Sequence, residues 1–215
     1  MSNVNQSDVL NVFRCLNSSG VDWLLLRNTG DELPNNLAEG KDIDILVRPD
    51  DRDRMITHLV SNSFYTIRHP YDEDIKLYGI HDFDMLKTDA NLLLDINYEI
   101  ACRSTDGGQW IPLDKEIQES VWCNRIVKSM AGEDISMPSD EDLFVTTLAR
   151  CVFVKRSFTQ WHRKKLSELF ERVGLSGAAQ KLPLVFFAYS QRLLNLIQGE
   201  RYDEIVEDYL SFADY

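Results

Sequence analysis

Asp42 and Asp44 lie in the run Gly40-Lys41-Asp42-Ile43-Asp44-Ile45-Leu46-Val47, where they alternate with aliphatic residues. In a β-strand successive side chains point to opposite faces, so Ile43 and Ile45 can enter a core while Asp42 and Asp44 share the other face. Two carboxylates roughly 6–7 Å apart along a strand suit a hard cation such as Mg²⁺, and hard oxygen ligands beside a phosphate point to phosphoryl or nucleotidyl transfer. The competing reading is an edge strand carrying two solvated acids. A third carboxylate occurs in Leu92-Leu93-Leu94-Asp95-Ile96-Asn97. An unpaired carboxylate in an aliphatic strand costs several kcal/mol to bury, so Asp95 needs a metal, a basic side chain or backbone donors as partner.

Several elements must position these acids. Residues 7–19 read as a helix with Ser7 as N-cap, an apolar stripe of Val9, Leu10, Val12, Phe13 and Leu16, and Gly20 as its stop. A strand over 21–27 leads into the turn-rich loop 28–41, which delivers the chain to Asp42. After Pro49, residues 50–63 have helical spacing, followed by extended runs 64–69, 75–86 with a break, and 91–98 after a turn near Thr88-Asp89-Ala90. An α/β arrangement with a small mixed sheet emerges. Beyond about residue 110 come a short helix over 114–122 and a strand over 125–135. Helices are then expected over 139–156 with Ser139 as N-cap, 159–173 ending at Gly174, 183–198, and 201–212.

The composition narrows the classes of function. The chain has 215 residues, 44% of them hydrophobic, and a net charge of −12, which supports a real core and argues against binding a polyanion, since that needs a basic footprint. No run approaches the length of a membrane span, and the polar N-terminal residues lack the apolar core of a signal peptide. Cys15, Cys102, Cys123 and Cys151 are scattered without metal-ligand spacing, so reduced structural thiols and a cytoplasmic, soluble protein are expected.

Three further features have a structural as well as a functional reading. Asp82-Phe83-Asp84 repeats the D-x-D form but reads as a solvated strand face, with His81 a hydrogen-bonded surface histidine. Residues 150–165 contain Arg150, Lys155, Arg156, Arg163, Lys164 and Lys165 with no acid; this basic island is either a solvated helical hairpin or a source of cations for phosphate. The broad apolar face from Leu184 to Ile197 suits core packing, with a homodimer interface as the alternative.

With helix, strand, polar loop, Asp42-x-Asp44 strand, helix and Asp95 strand in that order, the chain resembles the nucleotidyltransferase fold of the DNA polymerase β superfamily. The likeness covers roughly residues 20–100. It looks most like compact bacterial nucleotidyltransferase-like proteins that read Leu-Leu-Arg-Asn before the loop and Asp-Ile-Asp-Ile-Leu-Val after it, and that accompany surface polysaccharide biosynthesis. The resemblance implies an α/β (α+β) core over 1–110, a mainly helical subdomain over 111–215, and a Mg²⁺- or Mn²⁺-dependent transfer of a nucleoside monophosphate from a triphosphate to a small acceptor such as a sugar. It implies that Asp42, Asp44 and Asp95 hold the metal and do the chemistry, with Lys155 and Arg156 of the helical hairpin as phosphate ligands. The superfamily commonly has Gly-Ser or Gly-Gly after the first strand; here Arg27-Asn28-Thr29-Gly30 stands in that place. Arg27, Asn28 and Thr29 are therefore candidate nucleotide ligands, while Arg27 is equally suited to partner nearby acids. A phosphotransferase using a nucleotide-linked donor, or a non-catalytic binding or regulatory protein on the same fold, would also accommodate the missing glycines.

Overall fold

A strand that alternates aliphatic and acidic residues can bury one face only, and the sheet of this protein is built around that constraint. The structure is a computed structural model that describes residues 3–29, 32–104 and 108–212. In chain order its elements are α1 (Gln6–Ser18), β1 (Trp23–Leu25), β2 (Asp42–Val47), α2 (Arg52–Ser61), β3 (Tyr65–Ile67), β4 (Ile75–Lys76), β5 (Asp84–Lys87) and β6 (Leu93–Asn97). There follow β7 (Ala101–Arg103), β8 (Gln109–Pro112), α3 (Lys115–Cys123), β9 (Ile126–Met130), β10 (Glu133–Met137), α4 (Asp140–Ala149), α5 (Gln160–Lys181), α6 (Pro183–Phe186), α7 (Ser190–Gln198) and α8 (Tyr202–Ser211). They form two units, residues 1–100 with 125–138, and residues 101–124 with 139–215.

The first unit holds a five-stranded mixed sheet in the order β1-β2-β6-β5-β3. Strands β2 and β6 are parallel, and the other neighbours are antiparallel. Ile43, Ile45 and Val47 of β2, Leu94 and Ile96 of β6, and Trp23 and Leu25 of β1 share one core with Val9, Val12, Phe13 and Leu16 of α1 and Met55 and Leu59 of α2. Phe13 stacks on Trp23 at 6.0 Å between centroids. Helices thus cover one sheet face. The residues between these, Asp42, Asp44 and Leu46 on β2 and Leu93, Asp95 and Asn97 on β6, belong to the other face.

Some boundaries differ from the sequence reading. Asn5 rather than Ser7 caps α1, its side chain accepting the Ser7 N–H at 3.1 Å, and the chain leaves α1 through Gly20 at φ +66°, the left-handed region that glycine tolerates. The expected strand over 125–135 is a hairpin: Ala131 and Gly132 take positive φ and turn β9 back along β10. That hairpin lies in the first unit, with Ile135 and Met137 in its core.

The second unit contains the β7–β8 hairpin and is otherwise helical. Ser139 caps α4 as expected, its hydroxyl accepting the Asp142 N–H. The helical continuation Arg150–Lys155 is π-helical and stops at Arg156, whose φ of 50° is left-handed. The helix expected to end at Gly174 does lose its helical backbone there (φ 68°, ψ 172°, a state open to glycine), and a second helical stretch that the sequence reading did not expect follows it to Lys181 within α5. The single helix expected over 183–198 is broken, because Phe187 adopts φ 47°. Leu193, Leu194, Leu196, Ile197, Phe186 and Tyr189 are buried in this unit's core while Phe187 is exposed, so the apolar face is mostly core.

Candidate active site

Because β2 and β6 run parallel with Asp44 beside Asp95 and Asp42 beside Leu93, the two aspartates of β2 and the one of β6 emerge on the same face. A ligand oxygen from each of Asp42, Asp44 and Asp95 lies within 4.8 Å of the other two. Asp44 and Asp95 are buried and Asp42 is partly exposed, so the cluster opens toward solvent at its Asp42 end. The sequence pattern had already placed these acids on strands; the pairing register is what joins them.

Arg27, two residues past β1, reaches the cluster: its Nη1 forms a short ion pair with Asp44 Oδ1. Burial works against the guanidinium charge, yet Asp44, then Asp95 and Asp42, outweigh it and raise the Arg27 pKa above its ordinary value. The next residue, Asn28, takes φ 60°, a left-handed conformation for which Asn is better suited than most residues. Its side-chain oxygen accepts the Asp44 N–H at 3.5 Å, and its Nδ2 donates to Glu32 Oε2 at 3.1 Å. Asn28 therefore supplies the backbone turn that glycine would, but with a buried amide side chain rather than a bare Cα. Thr29 follows in the same turn, and Gly30 lies outside the described residues.

Two residues that the sequence reading did not assign complete the surroundings of Asp95. Asn97 Nδ2 donates to Asp95 Oδ1 at 3.1 Å; its signal was present in the Asp95-x-Asn97 alternation, which places both on one strand face. His69 Nε2 lies 3.6 Å from the same oxygen. It follows β3 in a loop, and no local pattern marks it.

The other D-x-D is not part of this cluster. Asp84 pairs with Ile96 in the β5–β6 ladder and so belongs to the helix-covered face. There Arg52 holds it through two bonds of 2.8 and 3.1 Å, and Tyr98 donates its hydroxyl at 2.6 Å; burial and the Asp84 hydrogen bond push the Tyr98 pKa up. Asp82 faces Lys76 at 3.4 Å, and His81 Nδ1 lies 2.7 Å from Glu99. Lys155 and Arg156 belong to the second unit, where Arg156 donates to the Ser104 carbonyl at 3.4 Å. In the rest of the basic island, Arg163 forms a two-point ion pair with Asp203 of α8.

All the side-chain oxygens of the cluster are hard ligands, and three carboxyl groups gathered beside one guanidinium offer the donor chemistry of Mg²⁺ or Mn²⁺. No helix among the described residues is long and apolar enough to cross a membrane.

No family model and no curated protein matches the chain. Solved structures do. The antibiotic-resistance factor ANT(2'')-Ia is 11% identical over 93% of this chain and 99% of its own, with a TM-score of 0.53. A second structure of ANT(2'')-Ia, in complex with adenylyl-2''-tobramycin, is 12% identical over 87% of this chain and 99% of that one, with a TM-score of 0.52. The lincosamide antibiotic adenylyltransferase LnuA, lincomycin-bound, is 15% identical over 78% and 98%, with a TM-score of 0.48. The ANT(2'')-Ia likeness establishes a shared nucleotidyltransferase fold of mixed sheet and flanking helices.

Proposed function

We propose that this protein is a divalent-metal-dependent nucleotidyltransferase that moves a nucleoside monophosphate from a nucleoside triphosphate to a hydroxyl of a small acceptor, such as a sugar or polysaccharide precursor. The observation that carries the reading is the convergence of Asp42, Asp44 and Asp95 on one sheet face with ligand oxygens within 4.8 Å. The fold shared with ANT(2'')-Ia supports it, as does the complex of that protein with an adenylylated aminoglycoside.

In this reading Asp42, Asp44 and Asp95 hold Mg²⁺, which when bound neutralises the phosphates and the charge that develops on transfer. Asp95 accepts the proton of the acceptor hydroxyl as the acceptor oxygen bonds to the α-phosphorus. The bond from that phosphorus to the bridging oxygen breaks, and pyrophosphate leaves with the electron pair. Arg27 exchanges Asp44 for a phosphate oxygen, for which its planar fork is suited. Asn28 holds the turn against the Asp44 backbone, and Thr29 contributes a hydroxyl donor.

The test is pyrophosphate release from each of the four common ribonucleoside triphosphates with Mg²⁺, across aminoglycoside, lincosamide and sugar acceptors. Acceptor-dependent release that vanishes in Asp95→Asn supports the reading; no release with any pair, from protein that binds Mg²⁺, overturns it. The Arg27–Asp44 ion pair favours one second reading, a non-catalytic binding protein in which Arg27 is the permanent counter-cation of the cluster. That reading expects no divalent ion to compete with Arg27.

A further inference from the structure

Asp95 is held on one side only. Among the described residues, the two donors that face it, Asn97 Nδ2 at 3.1 Å and His69 Nε2 at 3.6 Å, both approach Oδ1. At 3.6 Å the His69 contact is a polar approach longer than a hydrogen bond, but the ring is not free to turn away. His69 is buried, with 4% of its surface exposed. It packs against the rings of Phe83 and Tyr71, at 5.2 and 5.4 Å between centroids. Its Nδ1 accepts the backbone N–H of Tyr71 at 3.0 Å. A neutral imidazole that accepts at Nδ1 carries its proton at Nε2, so the Tyr71 N–H selects the tautomer whose N–H is aimed at Asp95.

We propose that His69 is a positioning residue which, together with Asn97, pins Asp95 through Oδ1 and so presents Oδ2 to the divalent ion and the acceptor hydroxyl. A carboxylate free to rotate spreads its two oxygens over several orientations, and each ligand geometry is then only partly populated. Outer partners that fix a metal ligand typically change affinity or activity by about 10- to 100-fold when removed. Asn97 supplies one such contact from the same strand. His69 supplies the second from a separate segment, and a second contact at the same oxygen narrows the rotation that one contact leaves open. This role rests on the metal-site reading above.

The experiment uses the full chain with Mn²⁺ as probe, titrated calorimetrically into wild type, His69→Phe, His69→Gln and Asn97→Leu, with melting temperatures recorded for each. His69→Phe keeps the aromatic packing and loses the donor; His69→Gln returns an N–H near the position of Nε2. The expected result is that His69→Phe and Asn97→Leu weaken Mn²⁺ binding by roughly 10-fold or more, and that His69→Gln recovers most of the loss. Where turnover is measured, kcat falls in His69→Phe while the triphosphate KM stays within about threefold, because the reacting oxygen and not the nucleotide contact is disturbed. Unchanged Mn²⁺ binding in His69→Phe overturns the inference, as does His69→Gln failing as fully as His69→Phe at an unchanged melting temperature. Should His69→Phe not fold, His69→Gln and Asn97→Leu decide: wild-type affinity in Asn97→Leu overturns it. Absence of Mn²⁺ binding in wild type instead removes the metal reading, and this inference falls with it.

Discussion

Arg27→Gln removes the guanidinium that faces three carboxylates and leaves a shorter, neutral polar side chain. The Asp44 side chain is only 6% exposed and that of Arg27 is 30% exposed, so the pair is largely but not wholly shielded from water. Removing one partner of a buried ion pair costs about 3–5 kcal/mol, and the residual exposure of Arg27 places this case near the lower end, about 3 kcal/mol. For a chain of this length each kcal/mol shifts melting by about 2–4 °C, so the first unit should melt roughly 6–12 °C lower in the presence of a chelator. Added Mg²⁺ should reverse the order of gains. In wild type an ion at Asp44 displaces Arg27 and forfeits the ion pair; in Arg27→Gln there is nothing to displace, so the rise in melting temperature on adding Mg²⁺ should be larger in the variant. Thermal unfolding with and without Mg²⁺ at low ionic strength reads both effects. A variant that melts within about a degree of wild type under chelation, or gains less from Mg²⁺ than wild type, refutes the reasoning.

Asp84→Asn should lower stability by about 1–3 kcal/mol through the loss of charge beside Arg52 and Tyr98, as read by chemical denaturation, and leave Mn²⁺ affinity unchanged because Asp84 is on the opposite sheet face. Lys181→Met should be more costly, about 3–5 kcal/mol, since Asp142 is fully buried and Lys181 is its charged partner, with Ser120 and Ser139 as hydroxyl donors; hydrogen exchange should show the loss in α4 and α5. Burial pushes the Cys151 thiol up to about 12 from an ordinary 9.0. A folded pKa raised above the unfolded one gives a contribution that is complete below pH 9 and is lost as pH climbs toward 12, so Cys151→Ala should show a flatter decline of stability across that window. A thiol reagent at pH 8 should modify the exposed Cys123 and leave Cys151 unmodified until the chain unfolds.

Much of the first unit was legible because its strands have one apolar and one polar face. The alternation at Ile43, Asp44 and Ile45 determines both what enters the core and what faces away from it, and α1 and α2 have the apolar stripes that match. The union of Asp44 with Asp95 was not local information, since a parallel ladder joins residues separated by a helix and three strands and its register is set by packing. The same limit hid His69, whose role depends on where a loop crosses the sheet face, and misread Asp84, whose face follows from its antiparallel register. In the second unit, helix positions were readable from periodicity, as was the break at Gly174, but the helical stretch that resumes after it was not, nor was Phe187, which breaks a helix with no glycine or proline at the break.

Mn²⁺ bound to the full chain, followed by electron paramagnetic resonance under competition with Mg²⁺, addresses the three-carboxylate cluster itself. Saturable binding that Mg²⁺ displaces, and that weakens by about tenfold or more in each of Asp42→Asn, Asp44→Asn and Asp95→Asn while the variants stay folded, is the result expected. Binding that is absent in wild type, or that survives all three substitutions, would contradict a metal centre on this sheet face.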